Sequence, residues 1–191
     1  MAVSHPRQAI VEAAYGVLAE HGVRATSIKE IARAAGVAPG LIHYYFTNKE
    51  ALLAAVLQEA SDRYTREMVA LRAAVPTEQL TASGLAAPQE RVSRQPEWYR
   101  LRYELFALGL HTPALMPGIG RLLDGGRVGI AAMLSAASGK PADDPDMVAL
   151  AALLLACFDG LALQQLADPA FDLARAYSAV ERLTRTFLAE D

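Results

Sequence analysis

The sequence predicts an all-α protein of about nine helices. Hydrophobic residues make up 53% of the 191-residue chain, and most of them recur at helical spacing. We find no stretch in which apolar and polar residues alternate as they do in a half-buried strand, and no internal repeat. Glycine and proline stand between the apolar segments and set the predicted ends of the helices.

The first two helices are defined by their end signals. The first is predicted from Arg7 to Glu20 and is closed by His21-Gly22. Ser27 is placed to act as the N-cap of the second helix, and Glu30, three residues later, completes a capping box. Gly36 follows the last residue of this helix, where a left-handed residue commonly ends a helix.

A tight turn leads into a short third helix and then into a long fourth one. Pro39 suits the first turn of the third helix, because its missing N–H needs no partner there. Asn48 is placed to cap a fourth helix that runs from Lys49 at least to Val75. The length of this helix would be ~40 Å, which is long enough to link two domains.

The carboxyl-terminal part of the chain predicts five further helical segments. Between Thr77 and Gln95, Gly84 and Pro88 interrupt a weakly apolar pattern, so a kinked or broken helix is expected there. Clearer helical patterns cover residues 97–111, 113–138, 147–167 and 171–189.

The stretch from Thr26 to Lys49, TSIKEIARAAGVAPGLIHYYFTNK, leaves hydroxyls, cations and exposed backbone on its outer face, a set suited to phosphates and base edges. Its pattern, T-S-I-K-E-I-A-x-x-A-G-V-x-x-G-x-I-x-Y-Y-F-x-N-K-E-x-L, resembles the DNA-binding domain of TetR-family transcriptional regulators. The resemblance covers about the first quarter to third of the chain. It implies a three-helix helix-turn-helix DNA-binding domain over residues 1–50, joined by the long fourth helix to a helical effector-binding and dimerisation domain over residues 51–191.

Matching positions of that motif imply a set of DNA-binding residues. For Lys49, a solvated surface lysine is the alternative to a phosphate contact shared with the helix N–H groups. Pro39 and Gly40 offer no side-chain donors, so backbone, van der Waals contacts and neighbouring aromatics should provide most of the base readout. The complete set is Thr26, Ser27, Lys29, Pro39, Gly40, His43, Tyr44, Tyr45 and Lys49.

Aromatic and sulfur-containing side chains in the second half of the chain suggest an effector pocket. Arg102 is the sharpest candidate, because an arginine between aromatics suits an anionic or polar ligand; pairing with Glu104 or Glu97 is the alternative. A plain aromatic core is the alternative for the others. The candidate residues are Trp98, Tyr99, Arg102, Tyr103, Phe106, His111, Met116, Met133 and Phe158.

The last two helices are more apolar than the core of one monomer requires. The segment MVALAALLLACFDGLALQQL predicts a four-helix interface with a second copy of the chain across a two-fold axis. The resemblance implies a homodimer formed by the same two helices. The predicted interface residues are Leu150, Leu154, Cys157, Leu161, Leu173, Tyr177, Val180 and Leu183. Cys157 is read as a small buried hydrophobe, with a redox sensor as the alternative.

Composition limits the remaining classes of function. The formal net charge of -3 argues against a protein that coats nucleic acid non-specifically, but not against a site-specific DNA binder. The single cysteine excludes an intramolecular disulfide and fits a reducing cytosol. The amino terminus does not read as a signal peptide. The longest apolar run, from Met147 to Phe158, is shorter than the ~20 residues that span a bilayer, so a cytoplasmic protein without a membrane partner is expected.

Catalytic motifs for nucleophilic, zinc-dependent and nucleotide-dependent enzymes are missing from the sequence, and the four histidines show no ligand spacing. We therefore expect no enzyme activity, no metal and no cofactor. The leading hypothesis is a dimeric repressor that a small molecule releases from a pseudo-palindromic double-stranded DNA operator. The alternative is a dimeric small-molecule-binding protein or an activator.

Overall fold

The computed structural model describes residues 5–76 and 79–189, except for the side chain of Thr81, and it confirms the all-α class. No strand occurs in these residues. The elements are α1 (Pro6–His21), α2 (Ile28–Ala35), α3 (Pro39–Tyr45), α4 (Lys49–Ala74), α5 (Leu80–Arg94), α6 (Pro96–His111), a 3-10 turn (Pro113–Leu115), α7 (Met116–Ser138), α8 (Pro145–Ala167) and α9 (Leu173–Ala189).

The end signals of α2 and the start of α4 are confirmed. The Ser27 hydroxyl accepts from the Glu30 N–H at 3.3 Å, and the Glu30 carboxylate accepts from the Ser27 N–H at 2.7 Å. Gly36 adopts the left-handed conformation, with φ 67° and ψ 29°. The Asn48 side chain accepts from the Ala51 N–H at 2.8 Å, which caps α4. Local sequence therefore determines where these helices begin and end.

The predicted interruption between residues 77 and 95 is not a break. Helix α5 continues through Gly84 and Pro88, while residues 77 and 78 lie outside the described part of the chain. Proline removes one backbone donor, which destabilises a helix. Burial of Leu85 and Val92 offsets that cost, and the Tyr99 hydroxyl donates to the Pro88 carbonyl at 3.3 Å.

The helices pack into two compact units whose boundaries differ from the predicted domains. One unit comprises Met1–Arg63 with Arg100–Leu123, and the other comprises Tyr64–Tyr99 with Asp124–Asp191. Helices α4, α6 and α7 therefore contribute residues to both units. The functional division into residues 1–50 and 51–191 stays a prediction.

The first unit has an apolar core that is formed by helices α1, α2, α3 and α4 together with parts of α6 and α7. Leu57 is completely buried and packs against Gly118, where an added Cβ would lie 3.1 Å from the leucine side chain. Glycine at this position lets α7 approach α4 closely. The core also contains Ile10, Val11, Ala14, Leu18, Ile31, Ile42, Leu52, Leu53, Val56, Leu101, Leu105, Leu115, Ile119 and Leu122.

In the second unit, α5, α8 and α9 pack on one another. This packing buries five of the predicted dimer residues inside the monomer, contrary to the prediction: Leu150, Leu154, Leu173, Tyr177 and Val180. Cys157 and Leu161 are half-buried, and Leu183 is 70% exposed. Because α8 is apolar on every side, residue type alone does not distinguish its inner face from its outer face.

A different set of apolar side chains is exposed on α8 and α9. Leu153 and Leu163 are 58% and 53% exposed, and Ala152 and Ala156 are exposed on the same helix. We call this surface the outer apolar face; its members are Val148, Ala152, Leu153, Ala156 and Leu163 on α8, with Leu183 and Phe187 on α9.

The length argument against a membrane span does not hold for α8. Pro145–Ala167 contains an 18-residue window with a mean hydropathy of 2.0, of which 39% is buried. The window tolerates Asp159, which ended the shorter run counted in the sequence. Length and hydropathy therefore do not distinguish a membrane segment from a helix that is covered by protein.

Candidate functional site

The outer surface of α2 and α3 presents most of the predicted DNA-binding residues to solvent. Tyr44 is 79% exposed. Helix α3 is held from its other side by Ile42 and Phe46, which are 1% and 3% exposed. The exposed members of the predicted set are Ser27, Lys29, Pro39, Gly40, His43 and Tyr44. We call this surface the α2–α3 face.

The other three predicted residues, Thr26, Tyr45 and Lys49, are less accessible. Thr26 is 3% exposed, and its hydroxyl donates to the Gly22 carbonyl at 2.7 Å. The side chain of Thr26 therefore stabilises the turn instead of facing DNA, contrary to the prediction. Tyr45 is half-buried, and its ring meets those of Tyr44 and His5 edge-on at centroid distances of 5.1 and 6.1 Å.

Lys49 is neither a solvated surface lysine nor a residue free to bind phosphate with its whole ammonium group. Its Nζ donates to the carbonyls of Val23 and Thr26 at 2.8 and 3.1 Å. An ammonium group has three N–H donors, so these bonds leave one available. The phosphate contact stays a prediction, and the structure adds a positioning role for Lys49.

The same turn is held from the other side by α6. The Glu104 carboxylate accepts from the Val23 N–H at 2.6 Å. Both backbone polar groups of Val23 are thus bound by charged side chains, and we call Glu104, Val23 and Lys49 the Val23 clamp. Gly22, at φ 82°, leaves room for the carboxylate, because a Cβ there would lie 2.8 Å from Glu104 Oε1.

A second polar group joins α1 to α4. Glu59 is 6% exposed, and its carboxylate accepts from Gln8 Nε2 at 2.8 Å and from Arg63 Nε at 2.7 Å. The Arg63 guanidinium also lies over the Tyr15 ring, 4.5 Å from its centroid. Pairing compensates the cost of burying the Glu59 carboxylate and fixes the contact between the two helices.

Arg7 is a candidate DNA contact that the sequence reasoning missed. It is exposed, and its guanidinium lies 5.1 Å from the centroid of Phe46, the residue that ends α3. The packing of α1 thus brings a cation beside the predicted recognition helix. No signal within α1 indicates this contact, because its partner is distant in sequence.

The candidate ligand residues are distributed over both units, and the pocket they were predicted to line stays a prediction. Tyr99, Met133 and Phe158 are buried in the second unit, whereas Arg102 is buried in the first, 4.5 Å from the centroid of Phe106. His111 and Met116 are exposed, which does not suit an enclosed pocket. Two cavities of about 600 and 260 Å³ lie in the second unit, and none of the nine predicted residues lines either of them.

Other reactive groups are few in the described part of the chain. No group of three or more histidine, cysteine, aspartate or glutamate residues is placed there to hold a metal ion. Burial raises the pKa of the Cys157 thiol, which disfavours the reactive thiolate.

Comparison with protein families gives two matches. Residues 10–56 match the model of bacterial regulatory proteins of the tetR family. Residues 76–189 match the model of the Tetracyclin repressor-like C-terminal domain, which extends the likeness over most of the chain.

Curated relatives match over less than half of the chain. The chain is 39% identical over 87 residues to the HTH-type transcriptional regulator BetI of Rhizobium meliloti (strain 1021), covering 46% of this chain and 38% of that protein. It is also 39% identical over 59 residues to the Fatty acid metabolism regulator protein of Bacillus subtilis (strain 168), covering 31% and 30%. The match thus spans only about a third of the length of these relatives.

Solved structures match over nearly the whole chain. The multidrug binding protein EbrR complexed with ethidium has 28% identity and a TM-score of 0.72, covering 95% of this chain and 99% of that one. A putative TetR-family regulator from Rhodococcus sp. has 24% identity and a TM-score of 0.74, covering 96% and 98%; at this identity it shows the fold alone.

The Val23 clamp predicts a local change in amide exchange. Glu104→Ala should accelerate hydrogen exchange at the Val23 amide about tenfold, because a hydrogen bond to a charged acceptor contributes roughly 1.5 kcal/mol. Glu104→Gln retains an acceptor oxygen and should give a smaller increase. Glu97→Ala, which removes the same charge from the same helix, serves as the control. Unchanged exchange in Glu104→Ala would exclude the clamp.

The capping box predicts a pH-dependent contribution to the stability of α2. Hydrogen bonds from the Ser27 backbone N–H and hydroxyl lower the pKa of Glu30. The stabilisation is therefore present above the unfolded-state pKa and is lost as the pH falls through the lower folded-state pKa. In an NMR titration, Ser27→Ala should raise the pKa of Glu30 partway, since the backbone bond remains. Ser27→Thr should leave the pKa low; a low pKa in both variants would contradict the role of the hydroxyl.

Proposed function

The chain belongs to the TetR family of bacterial regulatory proteins, and from this membership we propose that it is a site-specific DNA-binding transcriptional regulator. Its proposed action is repression at a pseudo-palindromic operator, and a small molecule relieves this repression. The observation that carries the proposal is the α2–α3 face, which a buried core supports from behind.

The chemistry of the α2–α3 face suits DNA. Lys29 and Arg7 supply exposed positive charge for phosphates, and Ser27 and Tyr44 supply exposed hydroxyl groups. Pro39 and Gly40 open α3 with little side-chain bulk, so the helix backbone can approach the base edges. Phosphate contacts from this surface would set the register of the protein on the duplex.

The outer apolar face supports a homodimer. A contiguous exposed apolar surface on a soluble protein commonly marks an interaction site. A second copy related by a two-fold axis would cover it with the same residues, forming a four-helix contact. Such a dimer would set its two recognition helices ~34–36 Å apart, one turn of DNA, and would keep α8 in a cytoplasmic protein.

Release by a small molecule requires that the ligand bind the free protein more tightly than the DNA-bound protein. The likeness to EbrR, a multidrug binding protein solved with proflavin, ethidium and imidazole, supports a small-molecule effector for this chain. The same reasoning implies that the effector lowers operator affinity and that the operator lowers effector affinity by an equal factor.

Operator binding tests the proposal. Fluorescence anisotropy with DNA from the gene's own upstream intergenic region should show tight binding that resists unrelated competitor DNA. Arg7→Gln and Lys29→Gln should each weaken binding and reduce the slope of log affinity against log salt by about 1. Arg72→Gln, at an exposed position of α4 in the other unit, is the charge-matched control.

Lys49→Met distinguishes the two roles of Lys49. Loss of a phosphate contact lowers both the affinity and the salt slope, whereas loss of the positioning role lowers the affinity with the slope unchanged. If neither the wild-type protein nor the control binds any fragment specifically, the regulator proposal fails. The dimeric small-molecule-binding protein then becomes the preferred alternative.

The dimer is tested at the centre of the outer apolar face. Leu153→Glu should convert the dimer into a monomer at micromolar concentration in sedimentation equilibrium, because it places an unpaired charge in an apolar contact. Val128→Glu is the control, since Val128 is 68% exposed on α7. A dimer that persists in Leu153→Glu with unchanged affinity would exclude this interface.

A further inference from the structure

An arginine in the second unit is held between two aromatic rings. The guanidinium carbon of Arg91, on α5, lies 5.0 Å from the centroid of Trp98 and 5.9 Å from that of Tyr64. The guanidinium also forms an ion pair with Glu67. Residues of two helices, α4 and α6, thus lie around a positive charge carried by α5, and we call Tyr64, Glu67 and Trp98 the cation cage.

The Arg91 side chain itself fills most of the cation cage. The Arg91 side chain is 12% exposed, whereas that of Glu67 is 50% exposed, so the carboxylate remains reachable from solvent. An open surface cavity of about 260 Å³ lies beside them, with Arg91 and Glu67 in its wall and Met68 and Leu71 providing apolar surface. Withdrawal of the Arg91 side chain would enlarge it.

The chemistry of the cage selects a positive charge. Aromatic ring faces attract cations and repel anions, and the attraction extends to about 6 Å from the centroid. Glu67 adds a formal negative charge, and Glu90 in the cavity wall adds another. Arg91 and Arg94 already pair with these two carboxylates, so an anionic ligand would have to separate both ion pairs.

We infer that the effector of this chain is a flat organic monocation that displaces the Arg91 guanidinium from the cation cage. The cation stacks on Trp98 and Tyr64 and takes Glu67 as its counter-ion, while Arg91 moves into solvent. This inference rests on the proposed function, since it names the ligand class of a small-molecule-responsive regulator.

In this arrangement, the Arg91 side chain competes with the ligand for the cation cage. A tethered group competes at an effective concentration in the millimolar range, so the wild-type affinity for the ligand is lower than the cage itself would give. The exchange leaves the net charge of the cage unchanged, because one cation replaces another. Removing the competitor should therefore strengthen ligand binding, which is the opposite of what removing an ordinary contact residue does.

The test uses proflavin as the flat cation and acridine, the same ring system largely uncharged at neutral pH, as its comparison. Isothermal titration of the full chain without DNA should show that Arg91→Ala binds proflavin about tenfold more tightly than wild type. Acridine should gain much less. Trp98, the single tryptophan of the chain, should lose fluorescence as proflavin binds. Arg72→Ala, a matched loss of positive charge on α4, should bind like wild type.

Second substitutions locate the ligand. In the Arg91→Ala background, Glu67→Gln should weaken proflavin binding about tenfold by removing the counter-ion, and Trp98→Leu should weaken it by a similar factor. This background is needed because Glu67→Gln in the wild type would also loosen Arg91. Arg91→Gln provides a second uncharged variant if Arg91→Ala fails to fold, as judged by its circular dichroism melting curve.

The inference is overturned if both uncharged variants at position 91 bind proflavin no more tightly than wild type, or if acridine gains as much as proflavin. Operator binding of wild type and Arg91→Ala, measured separately, keeps the two proposals apart. Specific DNA binding without the gain in proflavin affinity would exclude the ligand site at the cation cage and leave the regulator proposal intact. A gain in proflavin affinity without any specific DNA binding would exclude the regulator proposal and indicate a cation-binding protein.

Discussion

The bonds to the backbone of Val23 are the constraint on which the DNA-facing part of this structure depends. Glu104 of α6 accepts from its N–H, and Lys49 at the start of α4 donates to its carbonyl. Charge-assisted hydrogen bonds are stronger than neutral ones, so two charged side chains fix the turn that α2 must follow. Because Ser27 begins α2 soon afterwards, the direction of that helix is set at Val23. The buried cores under α2 and α3 then keep the exposed surface in place.

Long helices connect this turn to the rest of the chain. Helix α4 carries Lys49 at its first residue and Tyr64 and Glu67 in its second half, while α6 carries Trp98 near its start and Glu104 further on. The two helices that hold the Val23 clamp therefore also contribute three residues to the cation cage. A regulator needs a shared element of this kind, because a ligand shifts DNA binding only if both sites favour different states of the same structure.

The carboxyl-terminal helix α8 differs from the helices of the first unit in the distribution of its apolar residues. Helix α8 is apolar around its whole circumference, and the monomer buries less than half of its most apolar window. Exposed leucines at positions 153 and 163 form part of the outer apolar face, which the side chains of a second copy would cover in the proposed dimer. The composition of α8 makes it apolar on every side, and its packing decides which of its residues stay exposed.

The all-α class, the start of α2 at Ser27, its end at Gly36 and the cap of α4 at Asn48 could be predicted from the sequence, because caps and left-handed glycines act within a few residues. The α2–α3 face could be predicted too, since the apolar side chains of Ile42 and Phe46 favour burial. Long-range packing, in contrast, sets the direction of the Lys49 and Thr26 side chains, the buried side of α8, and the position of Arg91 near two aromatic rings. Those outcomes depend on contacts between residues far apart in the chain, and a residue's type does not specify its distant neighbours. The distribution of the candidate ligand residues over both units has the same cause: aromatic side chains predict burial but not the unit in which they are buried.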